Sequence, residues 1–182
     1  MIFAEVPLTR AFLIEGDKLS DERGFFGRIF SAKEFEVRGL DHRVSQTAVS
    51  FNRLRGTLRG MHYQAAPHEQ AKLVRCTRGI IYDVIIDLRP TSPTFSLWFG
   101  VELSGADLRM IYVPPGFAHG FETLQDESEV SYQMSTPYHP ESERGIRWND
   151  PFFAVDWPFP PTILSVRDAR YLDWNPTDGS LP

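Results

Sequence analysis

Residues 95–104 read FSLWFGVELS. They put Phe95, Leu97, Phe99, Val101 and Leu103 on one side of an extended chain and Ser96, Trp98, Gly100, Glu102 and Ser104 on the other. Side chains alternate between the two faces of a strand, so a half-buried β-strand turns this order into one apolar face, which a helix would scatter around its axis. The middle of the chain repeats the signal. KLVRCT (72–77) and IIYDVIIDLR (80–89) flank Arg78-Gly79, a pattern that predicts a hairpin, and RMIYV (109–113) stops at Pro114-Pro115-Gly116. EVSYQMS (129–135) sets Val130, Tyr132 and Met134 on one face. Helical signals are few: Ser31-Ala32-Lys33-Glu34 has capping-box spacing before Gly39, and a short helix is expected near Ser165–Tyr171. Short strands at this spacing, with 14 prolines as punctuation, predict an all-β sandwich or jelly-roll barrel carrying a few short helices. No linker or repeat interrupts residues 1–182, so a single domain is expected.

Charge and cysteine usage narrow the classes of partner. A net charge of −5 argues against a general nucleic-acid or anionic-membrane binder, although locally convergent arginines would still hold an anionic small molecule. Cys76 is the sole cysteine, which excludes an intramolecular disulfide and a thiolate metal cluster. The N-terminal stretch carries acids early and lacks the basic-then-apolar order of a signal peptide, and no apolar run approaches a membrane span. A soluble, cytoplasmic protein is the expectation.

The chemistry turns on RGMHYQ (59–64). Cupin jelly rolls hold a metal with a His-x-His pair, a glutamate and a further histidine after a Pro-x-Gly turn. Here PPGFAH supplies Pro114, Gly116 and His119, but Gln64 stands where the second histidine of the pair belongs. An amide oxygen is a poor ligand for borderline metals, so neither a metal nor another cofactor is expected. His62 is then either a base or a core histidine with satisfied nitrogens. Lys72 shares a face with Val74 and Cys76, and a lysine aimed into an apolar barrel is costly unless it meets negative charge. Tyr132 by itself is a core tyrosine. Together His, Lys and Tyr suit proton abstraction beside a carbonyl: an imidazole takes the α-proton, a cation steadies the enolate, and a phenol on the opposite face returns a proton.

DERGFF (21–26), GTLRGMHYQ (56–64), KLVRC (72–76), SPTF (92–95), PPGFAHGF (114–121) and ERGIRWNDP (143–151) follow one another in this order. From about Asp21 to Asp168 the chain resembles the dTDP-4-dehydrorhamnose 3,5-epimerases, cupin-fold enzymes that work without metal. The resemblance implies that His62 is the base, Asp168 its orienting carboxylate, Tyr132 the acid, and Lys72 and His119 groups at the sugar end. It makes Arg23 and Arg59 ligands of the diphosphate, Glu143 a further substrate contact and Tyr138 the ring that stacks on the nucleobase. It also implies a homodimer that shares N-terminal strands. Standing alone, Arg23 and Glu143 would be surface charges, Asp168 a helix-start residue and His119 a brace for the Pro-Gly turn. Strict alternation sets Arg59 and His62 on opposite faces, so a bulge at Gly60 is needed to bring them to one site.

Three positions depart from the family pattern: Arg28 replaces a glutamate, Gln46-Thr47-Ala48 replaces Gln-x-Asn, and Arg167 replaces a lysine. Arg28, Gln46 and Arg167 remain candidate substrate contacts. The expected activity is epimerisation at C3, C5 or both of a nucleotide-linked 4-keto-6-deoxyhexose, with dTDP or another nucleotide such as CDP. A sugar-nucleotide 3,4-ketoisomerase and a non-catalytic sugar-nucleotide-binding cupin are the alternatives.

Overall fold

In the computed structural model, which describes residues 1–174, two antiparallel sheets pack face to face. The first runs β1 (Ile2–Glu5), β2 (Phe12–Glu15), β10 (Arg109–Val113), β7 (Lys72–Arg78), β12 (Ser128–Met134) and β5 (Gln46–Asn52). The second runs β13 (Glu143–Gly145), β6 (Thr57–Gln64), β11 (Phe117–Thr123), β8 (Ile80–Asp87) and β9 (Trp98–Ser104), and β14 (Ile163–Leu164) adds to β6 in parallel. A separate hairpin, β3 (Asp17–Asp21) with β4 (Gly24–Arg28), stands apart from both. The architecture is the all-β jelly roll that the alternating segments imply.

Burial explains why some strands alternate and others do not. Between the sheets, Val74, Cys76, Ile111 and Val130 of the first meet Ile81, Ile85, Leu103 and Phe121 of the second. The outer face of the second sheet is covered as well: Met61, Tyr63, Val84 and Ile86 pack under Ile146, Phe153 and Trp157 of the C-terminal segment. Strand β8 is therefore buried on both faces, and its near-continuous apolar sequence follows. Helix α1 (Ala32–Val37) seals the outer face of the first sheet through Phe35, whose ring lies 5.4, 5.1 and 5.7 Å from those of Phe3, Phe30 and Tyr112. Truncating a fully buried phenylalanine of this kind costs about 3–5 kcal/mol.

Three local expectations need correction. Arg78-Gly79 does not close a hairpin: β7 and β8 lie in different sheets, and Gly79 (φ +76°) turns the chain from one to the other. A Cβ on Gly79 would sit 3.0 Å from Ser128 Cα, so the corner needs glycine for space as well as for φ. Strand β9 begins only at Trp98, because Phe95–Leu97 belong to a turn in which Ser92 and Thr94 bond to the Asp87 carboxylate at 2.5 and 2.7 Å. Leu97 is consequently exposed rather than in the core. Ser31 sits at the N-cap of α1 but makes no side-chain cap bond: the Glu34 N–H goes to the Ser31 carbonyl at 3.0 Å, and the Glu34 carboxylate turns to the N-terminal ammonium and Arg28. Near Ser165–Tyr171 the helix is a single 3-10 turn, Asp168–Arg170.

Candidate active site

A cavity of about 700 Å³ opens between the sheets, within the usual range for small-molecule sites. Strand β6 lines one side with Arg59, His62 and Gln64; β7 and β12 line the other with Lys72, Tyr132 and Met134. Arg59 and His62 do share the cavity, and β6 shows how. His119 pairs with His62 and Phe121 with Arg59, so two residues of β6, Gly60 and Met61, oppose the single Gly120 of β11. The extra residue falls at Gly60 (φ +131°), where a Cβ would lie 2.5 Å from Gly120 Cα. The bulge reverses the alternation and delivers both side chains to one pocket.

His62 Nε2 lies 2.8 Å from Asp168 Oδ1. The carboxylate is buried, its Oδ2 accepts the Gly60 N–H at 3.3 Å, and the Asp168 N–H donates to Ser165 Oγ at 3.0 Å. Burial pushes the Asp168 carboxyl up, but the bond to His62, its charge and the Gly60 and Ser165 contacts outweigh it and hold the group below the usual range. Asp168 therefore stays ionised and fixes the ring through Nε2, so Nδ1 is the ring nitrogen that the carboxylate does not engage.

Lys72 reaches from the opposite sheet until Nζ is 3.4 Å from the His62 carbonyl oxygen. Burial pushes its pKa down to about 8, with Asp83 and Glu143 resisting. Tyr132, on the neighbouring strand, is pushed up by burial first and Asp83 second, so its phenol holds its proton. Its ring stands edge-on to His119 at 6.1 Å, and buried His119 in turn shares a 2.9 Å bond with Asp83. The pocket thus contains two carboxylate-oriented imidazoles, a half-buried ammonium and a protonated phenol.

At the mouth, Tyr138 donates its hydroxyl hydrogen to Glu143 Oε2 at 2.6 Å, and Arg167 Nη1 pairs with Glu143 Oε1 at 2.7 Å. All three line the cavity, as does Ala48. Arg23, Arg28 and Gln46 do not line it. Arg23 sits at the tip of the β3–β4 hairpin, paired with Asp21, and Arg28 pairs with Asp17 and Glu34. Gln46 accepts the Tyr138 N–H at 2.7 Å.

Sequence reasoning missed three supporting residues. Asn52 Oδ1 accepts from Arg59 Nε at 2.7 Å and aims the guanidinium; Asp83 orients His119; Ser165 anchors Asp168. Only Asp83 left a signal, as a lone acid inside the apolar run IIYDVIID, where a buried charge needs a partner.

A jelly roll whose pocket sets an Asp-oriented histidine and an inward-facing lysine against a protonated tyrosine is the arrangement of the cupin-type acid–base epimerases. Comparison with known proteins narrows the class. The family model for dTDP-4-dehydrorhamnose 3,5-epimerase matches residues 5–175, and the chain belongs to that family. It is 40% identical over 170 residues to the dTDP-4-dehydrorhamnose 3,5-epimerase of Sinorhizobium fredii, covering 93% of this chain and 87% of that one. The crystal structure of the Elizabethkingia anophelis enzyme superposes with a TM-score of 0.92 at 38% identity, covering 98% of both chains. The Legionella pneumophila enzyme, solved with dTDP-4-keto-L-rhamnose, gives 0.86 at 40% identity, covering 92% of this chain and 89% of that one.

Proposed function

We propose that the protein inverts C3 and C5 of dTDP-4-dehydro-6-deoxy-D-glucose, forming dTDP-4-dehydro-L-rhamnose. The observation that carries the reading is the placement of His62 with Asp168 on one sheet and Tyr132 on the other, with the cavity between them. His62 takes the proton beside the C4 ketone, Lys72 faces the enolate oxygen with its ammonium, and Tyr132 returns a proton from the far side. A base and an acid on opposite faces of one carbon invert it, and each typically contributes about 10²–10⁴-fold. His119, held by Asp83, lines the sugar end. Arg59 meets the diphosphate as a planar fork, and Tyr138 receives the base.

The same reading includes a homodimer. Strand β5 is an open edge with Val49 and Phe51 exposed, and the β3–β4 hairpin exposes Leu19, Phe25 and Phe26. A second copy's hairpin laid along β5 would pair that edge, cover the apolar side chains and carry Arg23 to the pocket mouth. That placement accounts for Arg23 standing clear of the cavity in its own chain.

Incubation with the dTDP-linked 4-keto sugar in D₂O, read by NMR, tests the activity. Deuterium at C3 and C5 with the ketone retained at C4 is expected. Migration of the ketone to C3 would instead make the protein a ketoisomerase, and no exchange at either carbon would make it a binding protein. The CDP-linked sugar run in parallel reads the nucleotide preference.

A further inference from the structure

Residues 135–142 leave the end of β12 in the first sheet and arrive at β13 in the second, crossing the mouth of the cavity with Tyr138 at the crest. Tyr138 is half exposed, yet its backbone is held at every step by side-chain amides. Gln70 Nε2 donates to Thr136 O at 3.0 Å, and Gln64 Nε2 donates to Pro137 O at 3.2 Å. Gln46 Oε1 accepts from Tyr138 N at 2.7 Å, and Gln64 Oε1 accepts from His139 N at 2.6 Å. Three glutamines from three separate segments thus grip four consecutive residues. Gln64 is the centre of the grip: it is buried, and its second Nε2 hydrogen goes to His68 O at 2.8 Å. Turning its amide over would set oxygen against two carbonyls and NH₂ against an N–H, so the network allows one orientation only. Beyond the crest the His139 ring stacks on His68 at 3.6 Å, and His68 bonds Ser142 Oγ at 2.8 Å, which ties down the far end of the crossing.

We propose that Gln46, Gln64 and Gln70 form a clamp that presets Tyr138 for the nucleobase, and that Gln64, standing where a metal-binding cupin has its second histidine, has this positioning task. A preset ring loses little freedom when a base stacks on it, so the clamp acts on binding at the nucleotide end and not on proton transfer. This rests on the reading that the cavity takes a dTDP-linked sugar.

The test is a double-mutant cycle. Gln64→Glu keeps the shape but replaces two donors by a carboxylate facing two carbonyl oxygens, and Gln70→Leu removes a single bond from a partly exposed site where folding is not at stake. Each is made alone and with Tyr138→Ala, and each is followed by dTDP titration calorimetry and by steady-state kinetics. Alone, Gln64→Glu is expected to weaken dTDP and raise KM by about 10–100-fold, and Gln70→Leu by about 3–10-fold, with kcat nearly unchanged. In the Tyr138→Ala background both effects should shrink to less than about twofold. Undiminished effects in that background, or a fall in kcat as large as that in kcat/KM, overturn the clamp. Wild-type protein that binds dTDP but exchanges no sugar protons overturns the epimerase reading and leaves the calorimetric cycle to judge the clamp. Wild-type protein that does not bind dTDP overturns both.

Discussion

Asp168 Oδ1 holds His62 Nε2 at 2.8 Å across 106 residues of sequence. The contact is possible because β14 runs parallel to β6 and delivers the 3-10 turn that carries Asp168 to the back of the histidine. The same carboxylate accepts the N–H of Gly60, so one group both orients the imidazole and holds the bulge that aims it.

That double duty separates two substitutions. Asp168→Asn retains the size and can still accept from Gly60, but its NH₂ can turn to Nε2 and stabilise the wrong tautomer. A loss of about 10²–10⁴ in kcat/KM is expected with thermal stability nearly unchanged, whereas Asp168→Ala should lower both. Equal activity of wild type and Asp168→Asn would remove Asp168 from the proton-transfer scheme.

Tyr132 keeps its proton because burial pushes its pKa up, which fits an acid and not a base. Tyr132→Phe should therefore still wash solvent deuterium into substrate through His62 while forming inverted product about 10²-fold more slowly or worse. The check is exchange into recovered substrate against product formation in one NMR tube. Normal inversion by the phenylalanine variant would show that another group delivers the proton.

Lys72 gives the alkaline limit. Its ammonium form is the one that steadies an enolate, and with a pKa near 8 that form is lost as pH rises through 8. Activity should fall on the alkaline side about there, well below the pH at which an ordinary lysine loses its proton. The profile of kcat/KM between pH 6 and about pH 10 tests it, and Lys72→Gln should combine a large loss of rate with the disappearance of that limb. A limb that survives in the glutamine variant belongs to another group.

How much of this was legible beforehand depended on whether the signal was local. Period-two alternation gave β12 and the inward aim of Tyr132 and Lys72, because a strand with one buried face writes that face into its sequence. The Arg78-Gly79 corner misled, since a glycine at positive φ between two strands looks the same in a hairpin and in a crossover between sheets. Which one forms depends on Ser128 and the partner strands, which lie far away in sequence. Asn52 and Ser165 were invisible for a related reason: each acts on one distant side chain or turn and leaves no periodic trace. The Gly60 bulge was legible only as a conflict, since Arg59 and His62 could not both be right without it.

Gly60→Ala tests that bulge. The φ of +131° strains any L-residue, and the added Cβ would meet the Gly120 backbone at 2.5 Å. Gly39, at φ +64°, lies outside the hairpin and its Cβ would meet only the Arg10 guanidinium at an ordinary 3.5 Å, so Gly39→Ala measures the cost of a left-handed backbone without a clash. About 1–2 kcal/mol is expected at Gly39, and clearly more at Gly60 with loss of most activity. Equal destabilisation at the two sites in urea unfolding would mean that the β6–β11 approach is soft, and that the bulge is not what fixes His62.

Glu122 offers a prediction away from the cavity. It follows Phe121 on β11 but points to the opposite face, fully buried, where neither carboxylate oxygen has a well-formed hydrogen bond among the described residues and the Phe159 backbone N–H and the Arg55 charge offset its burial only in part. Burial pushes its pKa up from 4.5 to about 7. The folded chain thus keeps a proton that the unfolded chain releases, so stability drops as pH rises through the window from 4.5 to 7. Above that window the cost is at its largest, up to about 3 kcal/mol. Glu122→Gln cannot ionise and escapes this term. Relative to wild type the variant should gain stability between about pH 5 and about pH 8, measured by urea unfolding at both. A difference between the two proteins that does not change with pH would show that Glu122 is ionised in the fold and finds its compensation elsewhere.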